Sequence, residues 1–113
     1  MRGVGPGDLD DAVRVLLARP EEDWPRVALQ LIEEAHAADK LRKQCGHGHP
    51  LWGNGALCSA AGHWRRQALG PRIAGRRAAA MAMVLAVLAA WRADPARVSR
   101  ARRRRSGAGR DRH

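Results

Sequence analysis

A chain of 113 residues with no Tyr and no Phe holds at most one domain, whose small core must be filled by Leu, Val, Ile, Met, four Trp and above all Ala. Such a core favours closely packed helices, and the opening MRGVGPGDLDD lacks the apolar run of a signal peptide, so a cytoplasmic protein with free thiols is expected. The net charge of +10 comes from 19 Arg and only two Lys, a bias that a GC-rich coding sequence also produces, so the total excludes less than its layout does.

In chain order, Asp8 precedes LDDAVRVLLAR, where Leu9, Ala12, Val13 and Leu16 recur at helical spacing, with Asp8 and Asp11 placed to serve the first-turn amides and Pro20 as the stop. A second helix is expected from near Asp23, with Pro25 tolerated in its first turn. Trp24, Val27, Ala28, Leu31, Ile32, Ala35 and Ala38 share one face of it, while Gln30, Glu33 and Lys40 point away. Asp39 and Lys43 stand in the favourable i, i+4 order, Lys40, Arg42 and Lys43 complement the negative helix end, and Gly46 ends it.

After a glycine-rich corner, Asn54 is placed to cap a third helix with a Leu57, Ala61, Trp64 and Ala68 stripe, weakened by Gly62 and ended by Gly70-Pro71. A fourth, from about Ile73 to Ala93, contains AAAMAMVLAVLAAW. That run of 14 apolar residues falls short of the ~20 a bilayer crossing needs, so no membrane span is expected. A helix apolar all round must be covered all round, which makes self-association a fair reading. The expectation is thus an all-α bundle of about four helices over residues 8–93, followed by an Arg-rich tail, residues 94–113, too polar to pack and expected to be disordered.

Charge follows the same order. Residues 1–39 carry four Arg against nine acids, residues 40–91 carry eight basic residues and no acid, and residues 92–113 carry nine Arg against two Asp. The acidic first part is positioned to pair with the basic middle, and phosphates would be drawn to the middle and tail.

The corner, CGHGHPLWGNGALC, gathers the candidates for chemistry. Cys45, His47, His49, Cys58 and His63 are all types that zinc accepts, but the thiols are 13 positions apart and the histidines lie between or beyond them, unlike any standard zinc pattern. Cys58 near a helix start, with His63 or His49 as base, has the ingredients of a nucleophile and little more. GHG and GNG lack the spacing and the preceding strand of a phosphate loop. A structural corner explains more: Gly46 closes a helix, Pro50 fixes a backbone angle, Trp52 anchors, Gly53 and Gly55 take unusual angles, Asn54 caps, and His49 is placed to donate to a carbonyl at the end of the second helix. No metal, cofactor or catalytic residue is expected.

The segment HPLWGNGAL, with AHAADKLRKQCG before it and GDLDDAVRVLLARP at the start, resembles a family of short helical bacterial proteins of unknown function that share a His-Pro-x-Trp-Gly-(Asp/Asn)-Gly corner. The matching positions are Ala38, Asp39, Arg42, Gly46, His49, Pro50, Trp52, Gly53, Asn54 and Gly55, whereas Cys45, His47, Cys58 and His63 lie outside the pattern. The resemblance implies the fold and no activity.

Two functional readings remain. In the first, a non-enzymatic domain engages nucleic acid or an acidic protein surface through Arg65, Arg66, Arg76, Arg77 and the tail residues Arg102, Arg103, Arg104 and Arg105, with Trp64 and Trp91 beside guanidinium groups or else in the core. In the second, the apolar helix 78–91 is itself a protein-interaction or oligomerisation surface.

Overall fold

The computed structural model describes Met1, residues 3–68 and residues 74–96. Residues 97–113 of the expected tail, with Arg102 to Arg105, and Ile73 lie outside these residues, whereas the first three of that tail, 94–96, are described. Among the described residues four helices form, α1, Pro6–Leu17; α2, Trp24–Cys45; α3, Leu57–Ala61; and α4, Ala74–Ala93, with a 3-10 turn, Glu21–Asp23, leading into α2. No strand occurs among the described residues.

α1 begins at Pro6, three residues before the expected Leu9. Pro6 fits the first turn because its missing N–H has no partner there, and Gly5 is the cap residue. Asp8 sits inside the helix and reaches back, its Oδ2 accepting the Gly5 amide at 2.8 Å. α2 matches the expected face: Trp24, Val27, Ala28, Leu31, Ile32, Ala35 and Ala38 are all buried, and Gly46 closes the helix at φ 78° with its amide on the Arg42 carbonyl. Pro20 separates α1 from α2, and the Trp24 indole donates to the Arg19 carbonyl at 3.2 Å, so the large ring is buried without losing its polar partner.

α3 is shorter than its stripe suggests. It spans five residues and ends at Gly62, and Ala56, not Asn54, precedes its first turn as the cap residue. The Asn54 side chain is spent locally, its Oδ1 accepting the Ala56 amide and the Ser59 hydroxyl, both at 3.1 Å. The chain then leaves helical geometry and lies along the end of α1, where Gln67 N donates to the Arg14 carbonyl and Arg14 Nε returns to the Gln67 carbonyl, both at 2.9 Å. Leu57 and Ala61 of the expected stripe are buried, Trp64 is half-buried and Ala68 is exposed.

The core lies where α4 and α3 each pack on α1 and α2. Val13, Leu16, Leu31, Ile32, Leu57 and Val84 are almost fully buried in it, each such side chain contributing on the order of 1.5–3 kcal/mol. α4 gives it Ala80, Val84 and Leu88, a stripe of one residue per turn. No helix among the described residues is long and apolar enough to cross a membrane.

Candidate functional site

Two features stand out, the corner between α2 and α3 and the outer side of α4. In the corner, His49 and Gly53 pair as an isolated antiparallel bridge, His49 N donating to Gly53 O at 2.7 Å and Gly53 N to His49 O at 3.0 Å. The imidazole then turns over this loop. Its Nδ1 accepts the amides of Leu51 and Trp52 at 3.0 and 3.1 Å, and its ring stacks on Trp52 with centroids 4.3 Å apart. His49 is thus an acceptor at Nδ1, a role that requires the neutral ring protonated on Nε2, and not the donor to α2 that its position suggested. Pro50 and Leu51 form the tip, Leu51 being 64% exposed.

The corner docks on α2 through Gly55, which stands at φ 96° so close to Asp39 that an added Cβ would lie 2.6 Å from the Asp39 Cβ. Asp39 is the one buried charged residue among those described, 3% exposed. It receives the Met1 amino group at 3.2 Å, Lys43 at 3.0 Å and Arg42 at 3.4 Å. Burial pushes its carboxyl up, but the hydrogen bonds and positive charge of Lys43 and the Met1 amino group outweigh this and hold it at about 2. The same amino group donates to His36 Nδ1 at 2.8 Å, and His36 packs edge-on against Trp91 of α4.

The remaining corner candidates do not converge. Cys45 and His47 are exposed, Cys58 lies in α3, and His63 Nε2 stands 3.4 Å from Glu34. Among the described residues no three His, Cys, Asp or Glu side chains are grouped as a metal ion requires. The surroundings of Cys58 run against the nucleophile reading: its thiol hydrogen-bonds to Asp8, and that contact, burial and the carboxylate's charge push it up, disfavouring the thiolate a nucleophile needs.

Of the candidate phosphate contacts, Arg66 pairs with Asp11 at 3.5 Å, Arg76 with Glu21 at 3.8 Å and Arg77 with Asp10 at 2.8 Å, while Arg65 is exposed. Of the aromatics offered beside guanidinium groups, Trp91 is half-buried against His36 at one edge of the α2–α4 space, and Trp64 is half-buried against its own chain. Arg19 lies 5.2 Å over the Trp64 ring, whose Nε1 donates to Glu34 at 2.8 Å, and Arg76 lies 5.6 Å from Trp24. The described residues hold 11 Lys and Arg against ten acids, so the helical body is close to neutral and the surplus charge belongs to residues outside it.

α4 differs from every other helix in what it leaves uncovered. Ala78, Ala79, Ala82, Leu85, Ala86, Ala89 and Ala90 are exposed, Leu85 by 46%, and no charged residue interrupts them between Arg77 and Arg92. On one flank this side runs into a groove of about 580 Å³ lined by Pro25, Leu29 and Glu33 of α2 and by Val87, Ala90, Trp91, Asp94 and Pro95. The periodicity of α2 hides Leu29, which falls outside its buried stripe yet is 40% exposed beside the groove. No residue pattern announces the groove, because it exists only where two helices distant in sequence meet.

No curated protein and no solved structure is similar to this chain at a significant level. A family profile described as a domain of unknown function matches residues 2–88, which takes in α1, α2, the corner, α3 and most of α4. The chain belongs to the DUF7742 family of domains of unknown function.

Proposed function

We propose that this protein is a non-enzymatic interaction module whose working surface is the outer side of α4. The observation that carries the reading is the contrast between that side, an uninterrupted apolar surface from Ala78 to Ala90, and the rest of the body, where Asp10, Asp11, Glu21, Glu34 and Asp39 all engage polar partners. Contiguous exposed apolar surface on a small chain marks a place where another molecule sits. The two free thiols agree with a cytoplasmic setting, and the His-Pro-x-Trp-Gly-Asn-Gly corner, read as a signature of short bacterial proteins, serves to fix α2 against α3. A photo-reactive residue in place of Ala86 should cross-link to a protein in cells, and one in place of Arg26, exposed on α2, should not. Equal yields from the two positions would refute the reading.

A second reading concerns the tail. Residues 97–113 carry eight Arg and one Asp, and the near-neutrality of the helical body leaves them as the main source of the chain's positive charge. We propose that this segment engages nucleic acid or an acidic protein surface, the former without sequence preference. Titration of two unrelated duplexes should give equal affinities that fall by roughly 10³–10⁵ between 50 and 200 mM salt, if six to ten phosphates are neutralised. Removal of residues 97–113 should abolish binding, and undiminished binding would return the role to the helical body.

A further inference from the structure

We propose that a second copy of this chain covers the groove side of α4, the two α4 helices lying antiparallel about a twofold axis. The inference rests on the reading of α4 as an interaction surface and names its occupant. Arg76, in the first turn of α4, is 11 residues or about three turns from Val87 and shares its side of the helix, and Asp94, one residue past the helix end, lines the groove with Val87, so the two stand at the two ends of one side. Between them on that side lie Ala79, Met83, Ala86, Val87 and Ala90, all uncharged, and Leu29 of α2 extends the apolar surface across the groove.

A strip that is positive at one end, negative at the other and apolar between is complementary to itself in only one sense. Laid parallel, two copies would oppose Arg76 to Arg76 and Asp94 to Asp94, and their helix dipoles would align. Laid antiparallel, each Arg76 meets the other copy's Asp94, the dipoles oppose, and the axis falls midway, at the level of Leu85. The groups are available for this. Arg76 is 46% exposed and its contacts within the chain are long, Nε to Glu21 at 3.8 Å, Nη2 donating to the Arg19 carbonyl at 3.5 Å and the guanidinium 5.6 Å from the Trp24 ring, and Asp94 is exposed, its Oδ1 accepting the Ala96 amide at 2.9 Å. Arg92 and Arg77 do not interfere, because Arg92 projects from the other flank and Arg77 is tied to Asp10 at 2.8 Å.

Sedimentation equilibrium of the full purified chain decides the matter. The expected mass is twice the chain's 12.4 kDa, independent of any other protein. Ala86→Glu and Leu29→Glu, both at exposed positions, should each give the monomer mass with an unchanged helical circular-dichroism spectrum. Arg76→Glu and Asp94→Arg should each weaken the dimer about tenfold, and the double reversal should recover it, since each reversal alters two symmetric contacts. A monomer at every concentration up to the hundreds of micromolar would overturn the second copy, as would a dimer indifferent to Ala86→Glu or a double reversal that fails to recover it. If the chain is a monomer while position 86 still cross-links to a different protein, the second copy fails and the interaction surface stands. If position 86 also yields no cross-link, both fail.

Discussion

Replacing Gly55 with Ala tests whether the corner truly rests on α2. At φ 96° any residue with a Cβ is strained, and here the added atom would also lie 2.6 Å from Asp39 Cβ and 2.8 Å from Asp39 Cα. Neither neighbour can swing aside, because both are fixed to the backbone of a helix whose side chain at this position is held by three cations. Gly46→Ala is the natural control: it too has positive φ, 78°, but nothing lies within 4 Å of its added Cβ. The control should lose about 1–2 kcal/mol from backbone conformation alone. Gly55→Ala should lose that and a further 1–3 kcal/mol or so from displacing the corner. Urea unfolding at constant m-value measures the difference, and each kcal/mol should lower Tm by roughly 4–8 °C in a chain of this size. Equal losses in the two variants would refute the Gly55–Asp39 contact as the seat of the corner.

Three other outcomes follow from the same geometry. Because the Asp39 carboxyl is held at about 2, below its unfolded value of about 3.9, its stabilisation is complete above pH ~4 and is lost as pH falls towards 2; Asp39→Asn should flatten that acid limb of the stability profile, which amounts to about 2 kcal/mol. His49→Phe keeps the stacking partner of Trp52 but strips two turn amides of their acceptor, and should cost about 1–3 kcal/mol in thermal unfolding, with His49→Asn recovering part of the loss through its Oδ1. At pH 8, alkylation followed by peptide mass mapping should label exposed Cys45 well before Cys58, whose thiol the Asp8 carboxylate pushes up, and Asp8→Asn should speed Cys58.

The parts of this fold that sequence makes legible are those governed by local repetition. α2 carries its apolar pattern through 22 residues, enough turns for the buried face to be read residue by residue, and Gly46 marks its end. α3 is a different case: Gly62 and the self-directed Asn54 side chain break it after five residues, before a stripe can mean anything. Charge layout points to pairing between the acidic first part and the basic middle, yet which Arg meets which acid depends on α4 lying beside α1, as Arg77 and Asp10 show across 67 residues. Asp39 reads as a surface i, i+4 partner of Lys43. Its burial comes from Met1, 38 positions before it, and Gly55, 16 positions after it, and no local pattern encodes either.

The two oxygens of Asp8 have a consequence for how the molecule opens. One holds the start of α1, and the other, Oδ1, accepts the Cys58 amide at 2.9 Å across 50 residues. A helix of five residues has no stability of its own, and the hydrogen bond at its first turn is lent by another helix. α3 therefore exists only while α1 and α2 are already in place, so it cannot nucleate folding and belongs to the last contacts made. In amide exchange, the Cys58 N–H reports tertiary assembly, exchanging whenever α3 lifts from α1, while amides in the middle of α2 wait for the whole body to unfold.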